Sequence, residues 1–89
     1  MYGELLEALS ENDAFNVYLV RFPGLGELVA QKVSIVERTC DSPELPNLVA
    51  GRDAVASLHG VALEGGFQAL ARVFYGAYER YCDCLMSYL

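Results

Sequence analysis

Apolar residues recur at helical spacing along most of the chain, and this pattern predicts a small all-α protein of about five helices. Near the start, Leu5, Leu6 and Leu9 share one helical face, and the polar run at 10–13 resembles a capping box for the next helix. Over residues 27–38 the apolar positions again fit an amphipathic helix, whereas polar residues interrupt both faces of the equivalent strand.

The strongest helical pattern lies in the last segment, from Phe67 to Leu89. Two glycines, Gly65 and Gly66, interrupt the chain just before it. Charged and small residues occupy the opposite side of this segment, so the pattern predicts a long amphipathic C-terminal helix. Its apolar stripe consists of Phe67, Leu70, Ala71, Phe74, Ala77, Tyr78, Tyr81, Leu85 and Tyr88.

The stretch "AFNVYLVRF" fits two kinds of secondary structure. Phe15, Tyr18 and Leu19 fit a helical stripe, whereas Val17 and Val20 suit a buried strand. An α+β fold with a hairpin at 14–39 is therefore the alternative prediction. Composition favours the all-α fold, because Leu, Ala and Glu are abundant while Thr and Ile each occur once.

The chain length and charge restrict the classes of function. A chain of 89 residues suits one domain, which we expect to span residues 1–89. The net charge of −6 argues against broad, sequence-independent nucleic-acid binding and favours a protein partner. No apolar run approaches the roughly 20 residues that span a bilayer, and the acidic start does not resemble a signal peptide, so no membrane association is expected.

The sequence offers little for catalysis or metal binding. Three cysteines give no disulfide framework, which is typical of a reducing intracellular compartment, the nucleus if the source is a eukaryote. On a helix, Cys82 and Cys84 would point about 200° apart, so they would not share a metal. His59 is the only histidine in the chain and has no cysteine near it. We therefore predict no enzyme activity, metal, cofactor or small-molecule substrate.

A hairpin between two predicted helices stands at "FPGLG", residues 22–26. Proline would end the first helix, and the glycines would permit the positive φ of a tight turn. The free N–H groups at the start of the second helix would then form a small anion site. A degenerate copy, "LHGVA", begins 36 residues later, where a helix is expected to stop at Gly60.

These motifs resemble those of the tandem helix-hairpin-helix domains. "FPGLGELVAQKV" is similar to their hydrophobic-Pro-Gly-hydrophobic-Gly-x-x-x-Ala signature. "SPELPNLVAGRDAVASLHG" is similar to the linker helix and second hairpin of the nuclease-associated, xeroderma pigmentosum group F-like branch. The resemblance covers roughly residues 14–78 and implies a SAM-like helical bundle. A fainter similarity, in "GLGE" and "YGAYERYCDC", is to barrier-to-autointegration factor.

The resemblance implies a contact with the DNA backbone through hairpin amides. At the first hairpin these would be the amides of Gly24, Leu25 and Gly26, with Arg21 and Lys32 as basic helpers. A weaker second site would comprise His59, Gly60, Val61 and Ala62, in which a histidine replaces the proline and an alanine the second glycine.

Degenerate domains of this family also serve as dimerisation modules, and the last helix suits that role because Tyr and Met are favoured at interfaces. The function predicted is a non-catalytic module that dimerises with a related subunit, or with itself, in a DNA repair or recombination complex, with a weak DNA-backbone contact. The alternative is a small acidic inhibitor or adaptor of a basic nucleic-acid-handling protein. The candidate partner interface consists of Tyr75, Tyr78, Tyr81, Leu85, Met86, Tyr88 and Leu89.

Overall fold

The computed structural model describes residues 3–39 and 42–88, and every regular element in these ranges is a helix. This confirms the all-α prediction, and the α+β alternative is not favoured because its first strand is occupied by a helix. The five helices are α1 (Gly3–Glu11), α2 (Asp13–Arg21), α3 (Pro23–Thr39), α4 (Leu45–Glu64) and α5 (Gln68–Met86).

The boundary between α1 and α2 is set by Asn12. Its Oδ1 accepts a hydrogen bond from the backbone N–H of Phe15 at 2.9 Å, which satisfies one of the unpaired N–H groups of the first turn. The hydroxyl of Ser10 donates instead to the Glu7 carbonyl at 3.0 Å. The predicted capping run therefore supplies the cap, but through its third residue and not through its serine.

The ambiguous stretch forms α2, which buries Phe15 and leaves the two strand-like valines outside. Val17 is 54% exposed and Val20 is 78% exposed. Phe15 packs edge-to-face against Phe67, with ring centroids 5.1 Å apart, and this contact anchors α2 to the start of α5. The valines gave a strand signal because they are apolar, although neither belongs to the core.

Only Phe22 separates α2 from α3, and Pro23 occupies the first position of α3, where its missing N–H costs nothing. Gly24 and Gly26 therefore lie in the first helical turn. The predicted positive φ is wrong at both, since among the described residues only Gly66 has one. Gly26 permits a close approach, because a Cβ there would lie 3.4 Å from the Leu19 carbonyl oxygen.

Helix α4 continues to Glu64, so the predicted stop at Gly60 is wrong. The helix ends one turn later in a Schellman motif, with Gly66 in the left-handed conformation at φ +81°. The N–H of Phe67 donates to the Ala62 carbonyl at 2.9 Å, and that of Gly66 donates to the Leu63 carbonyl at 3.1 Å. The two glycines, and not the degenerate hairpin copy, turn the chain into α5.

Helices α4 and α5 form an antiparallel pair with the most extensive packing in the molecule. Helix α3 packs on α4, and α1 packs on α5. The predicted stripe of α5 supplies five buried residues, Leu70, Ala71, Phe74, Ala77 and Tyr81. The side chains with less than 2% exposure that fill the centre of the core are Tyr81, Phe15, Phe74, Leu5, Leu58, Val36, Val55 and Thr39.

Candidate functional site: the α4–α5 face

One side of the α4–α5 pair is covered by apolar and aromatic side chains that the core does not bury. Of the large hydrophobic residues exposed to solvent, five lie on this side, with exposures of 46–65%: Leu45, Leu63, Tyr75, Met86 and Tyr88. Half-buried side chains lie between them. We call this surface the α4–α5 face and define it by Leu45, Val49, Arg52, Ala56, His59 and Leu63 of α4, Arg72, Tyr75, Tyr78, Glu79, Cys82 and Met86 of α5, and Tyr88.

The face has a cleft at each end. One cleft, of about 320 Å³, is lined by His59, Leu63, Arg72 and Tyr75, among others. The imidazole of His59 lies 5.7 Å from the Tyr75 ring, centroid to centroid. Because His59 lies near the end of α4 and Tyr75 in the first half of α5, this contact brings a histidine and a half-exposed phenol together across the helix pair.

The other cleft, of about 470 Å³, lies where α4 begins and α5 ends. Leu45 and Arg52 contribute from α4, and Cys82 and Met86 from α5. Arg52 is seven residues from His59, and Cys82 is seven residues from Tyr75, which is close to two full turns, so the two clefts lie on the same sides of both helices. The face therefore runs along the whole length of the helix pair.

Tyr78 joins the two ends of the face. Its ring stacks on Tyr75, with centroids 6.3 Å apart and planes 29° apart. The thiol of Cys82, one turn further along α5, is its hydrogen-bond partner and raises the pKa of Tyr78 above its ordinary value, while the positive charge of Arg52 opposes that rise. Tyr78 is thus a neutral phenol at physiological pH.

The charges on the face belong to both signs. The Arg52 guanidinium contacts the carboxylate of Asp53, its neighbour in sequence and 66% exposed at the side chain, at 3.3 Å. Arg72 and Glu79 are the exposed charged residues on the α5 side. Exposed ion pairs of this kind contribute little to stability, so these side chains are available to other partners.

The predicted partner interface is only partly at this surface. Tyr75, Met86 and Tyr88 are exposed, and Tyr78 and Leu85 are half-buried. The hydroxyl of Tyr88 also donates to the Pro43 carbonyl, which ties the end of the chain to the loop before α4. Leu89 lies outside the described residues.

Tyr81 does not belong to this surface, and its assignment to the interface is wrong. The side chain is fully buried and its ring lies against Gly51 of α4. Its hydroxyl lies 3.5 Å from Thr39 Oγ1, and the Thr39 hydroxyl itself donates to the Ile35 carbonyl at 2.7 Å. Tyr81 therefore donates to Thr39 and links α5 to α3. Tyr78 and Tyr81 are three residues apart, so their side chains differ in direction by only about 60° around the axis of α5. The spacing alone therefore does not show which of the two is buried.

Of the three amides predicted for the first hairpin, those of Leu25 and Gly26 have internal partners, and Gly24 lies exposed before them in the first turn of α3. The N–H groups of Leu25 and Gly26 donate to the Phe22 carbonyl, at 2.9 and 3.1 Å. Arg21 is exposed at the last position of α2, where a cation is favoured by the helix dipole. Lys32 is half-buried and seven residues beyond Leu25, or about 10 Å along α3. Arg21 precedes the first of the predicted amides by three residues, whereas Lys32 does not lie beside them.

The second predicted hairpin site is wrong as a turn, because all four of its residues lie inside α4. Within a helix the N–H groups are used by the carbonyls four residues earlier. Val61 and Ala62 are buried, while His59 is half-buried and Gly60 is exposed. His59 keeps a place in the candidate site, but as part of the α4–α5 face.

Sequence reasoning missed the α4 half of the face, namely Leu45, Arg52 and Leu63. A signal was present, since positions 45, 49, 52, 56, 59 and 63 alternate steps of four and three, the spacing of a packing seam. The expected stop at Gly60 made the pattern harder to see, because Leu63, the last member of the seam, then lay outside the predicted helix.

In the ranges 3–39 and 42–88, no group of three His, Cys, Asp or Glu side chains is placed to hold a metal ion. Across the same ranges, no helix combines the length and the hydropathy needed to cross a bilayer.

Comparison of the chain with family models, with curated proteins and with solved structures found no match.

Proposed function

We propose that this chain is a non-catalytic helical module that dimerises with a protein subunit of a DNA-processing complex through the α4–α5 face. One observation supports this most strongly: five large apolar side chains, each about half exposed, lie together on one side of the two best-packed helices. Contiguous apolar surface of this kind marks interaction sites on small proteins.

The residue types on the face support a protein partner over a small molecule. Tyr, Met and Arg are enriched at protein interfaces, and Tyr75, Met86 and Arg52 are placed there together. Both clefts are open to solvent and shallow, whereas small-molecule sites enclose most of their ligand. Rigid helices also present these side chains at little cost in conformational entropy.

The DNA-processing context rests on the resemblance of "FPGLGELVAQKV" to helix-hairpin-helix signatures. Two short-linked helices and the close approach at Gly26 are compatible with that motif. Because the amides of Leu25 and Gly26 already donate to Phe22, and because the chain carries a net charge of −6, the proposed contact with the DNA backbone is weak.

The experiment for the protein interface is quantitative co-purification from the source cells. Tagged wild-type chain is compared with Leu63→Glu, which places a charge at the centre of one cleft, and with Val20→Glu, a matched change on α2 away from the face. We expect Leu63→Glu to lose subunits of a DNA-processing complex that Val20→Glu retains. Equal recovery by all three chains would contradict the proposal.

The experiment for the DNA contact is fluorescence anisotropy with duplex and branched DNA at two salt concentrations. Arg21→Ala should weaken binding and reduce the dependence of log K on log salt by about one phosphate contact. Arg38→Ala, an exposed arginine at the other end of α3, is the matched control. No binding at low salt would remove DNA contact from the proposal and leave the protein interface.

A second function, an acidic inhibitor or adaptor, is favoured by the charge of the N-terminal region. Glu4, Glu7, Glu11 and Asp13 are all exposed, and the first twenty residues contain no lysine or arginine. A basic partner would be attracted here. Replacing Glu7 and Glu11 with Gln would then weaken capture of a basic nucleic-acid-binding protein, whereas Leu63→Glu would not.

A further inference from the structure

We propose that the subunit that docks on the α4–α5 face is a second copy of this chain, with its α4 antiparallel to the first α4. This inference rests on the proposed function and names the partner. Each copy would contribute one helix pair, and the two pairs would pack face to face across a two-fold axis.

The distribution of charge favours a second copy at this face. The chain carries a net charge of −6, so two copies repel each other over most of their surfaces. The residues that define the face include two arginines, Arg52 and Arg72, and one carboxylate, Glu79, so the face lacks the excess of negative charge that the whole chain carries. A basic partner would be drawn to the acidic surface of α1 and not to this face. The α4–α5 face is the part through which two acidic copies approach without carboxylates facing carboxylates along the seam.

The exposed seam of α4 is self-complementary. Its positions 45, 49, 52, 56, 59 and 63 are symmetric about position 54. In an antiparallel pair, Leu45 of one copy therefore meets Leu63 of the other, and Arg52 meets Ala56. A two-fold interface requires this property, because each residue must find its partner on the same patch of an identical surface. The two leucines are also similarly exposed, at 46% and 52%.

The same symmetry pairs the two clefts with each other. The cleft of His59, Leu63 and Tyr75 in one copy faces Leu45 and Met86 of the second copy. A methionine beside an aromatic ring is a favourable contact, and a flexible thioether fills an open cleft well. At the centre of the seam, Ala56 of each copy lies opposite Arg52 of the other, so a small side chain meets a long one on both sides of the two-fold axis.

The size of the face is compatible with a two-fold dimer of modest affinity. Helix α4 has 20 residues and is therefore about 30 Å long, and two adjacent helices are about 20 Å wide. The face thus offers roughly 600 Å² per copy, or about 1,200 Å² for the pair, the lower end of the range for specific interfaces. Interfaces at this lower end include weak and transient complexes, so the dimer is sought up to high protein concentration.

The test is sedimentation equilibrium of the purified chain over a concentration series up to about 1 mM. Wild type should form dimers, and Val20→Glu should behave like wild type. Leu63→Glu should raise the dimer dissociation constant by at least about 10-fold, because it buries one charge at each end of the interface, opposite Leu45 of the second copy. A monomer at the highest concentration would overturn the inference, as would a dimer that Leu63→Glu leaves unchanged.

Cross-linking tests the antiparallel arrangement. In chains with Cys40→Ser, Cys82→Ser and Cys84→Ser, one copy carries Val49→Cys and the other carries His59→Cys, and a short bis-maleimide is added to the mixture. Antiparallel pairing places these two positions opposite each other and the two copies of position 59 about 15 Å apart along the helices, so the mixed dimer should exceed the His59→Cys homodimer. An excess of the His59→Cys homodimer would contradict the arrangement, since it indicates helices paired in the same direction.

The failure of this inference can be told apart from that of the proposed function. If wild type is a monomer while Leu63→Glu still abolishes capture of a different subunit from cells, the second copy is wrong and the face remains an interaction surface. If wild type is a monomer and Leu63→Glu does not change which proteins are captured from cells, both the second copy and the proposed protein interface are wrong.

Discussion

Gly51 of α4 lies directly beneath the buried ring of Tyr81 of α5, and no side chain larger than a hydrogen atom fits between them. A Cβ at position 51 would come within 2.6 Å of the Tyr81 hydroxyl oxygen and closer still to the ring carbons. The ring cannot move away, because Tyr81 is fully buried and its hydroxyl donates to Thr39. This one contact sets the distance between the two helices that carry the face.

Gly51→Ala should therefore destabilise the fold, although alanine is the better helix former. Overpacking of a core costs about 1–3 kcal/mol, against a gain of up to about 1 kcal/mol in helix propensity. Gly76→Ala is the matched control, since Gly76 also lies inside a helix but has no atom within 4 Å of its added Cβ. Chemical denaturation should show Gly51→Ala below wild type and Gly76→Ala level with it or above it.

The two roles of tyrosine in α5 can be separated by substitution with alanine. Tyr81→Ala removes a fully buried aromatic ring and should cost about 3–5 kcal/mol, a large part of the stability of so small a domain. Tyr75→Ala, at a side chain 52% exposed, should change the unfolding free energy of the monomer by less than about 0.5 kcal/mol. Urea denaturation at low protein concentration measures both, and equal losses would contradict the assignment of Tyr75 to the surface.

The cap of α2 is expected to depend on Asn12 and not on Ser10. Asn12→Ala removes the acceptor for the Phe15 N–H and should cost about 1 kcal/mol. Ser10→Ala removes only an exposed bond to the Glu7 carbonyl and should be nearly neutral. Thermal melts of the two variants measure the loss of Tm and so show which residue caps α2. A larger loss of Tm for Ser10→Ala than for Asn12→Ala would indicate that α2 begins earlier in the chain.

Cys82 is expected to control the ionisation of Tyr78. Its thiol raises the pKa of Tyr78, so Cys82→Ala should lower that pKa toward the ordinary value, while Cys84→Ala, on an exposed side chain, should not. Ring resonances of Tyr78 followed by NMR during an alkaline titration give the measurement. An unchanged Tyr78 titration in Cys82→Ala would contradict the contact.

The same shift has a consequence for stability with a defined sign. A phenol whose pKa is raised in the folded state binds its proton more tightly there than in the unfolded chain. Its contribution to stability is present below the ordinary tyrosine pKa of about 10 and is lost as the pH rises through the raised value. Cys82→Ala should therefore flatten the loss of Tm above about pH 10.

The pattern of apolar positions was enough to predict the helices, because each must bury one stripe. It failed to predict the end of α4, because a glycine inside a helix and a glycine that ends a helix cannot be told apart by the pattern. Gly60 is exposed inside α4 and Gly66 is left-handed after it, yet nothing local distinguishes a tolerated helical glycine from a terminating one. The Schellman bonds that decide between them join residues 62–67 only once the turn has formed.

The candidate site was harder to predict than the fold because it depends on the angle between two helices. Periodicity placed Tyr81 and Tyr78 in one stripe, but packing against Gly51 takes the first inside and leaves the second at the surface. On α4, the helix ends at Glu64, four residues past the predicted end. This error of one helical turn removed Leu63, an end of the seam, from the predicted helix.

The Schellman turn at Gly65 and Gly66 also bears on the order in which the molecule assembles. It joins the two longest helices with almost no intervening chain, so their contacts close short loops at little entropic cost. Structures dominated by such local contacts fold quickly, and a helical hairpin of this size is a natural first unit of folding. The surface we assign to recognition belongs entirely to this helical hairpin and to Tyr88, so it forms as soon as the hairpin folds.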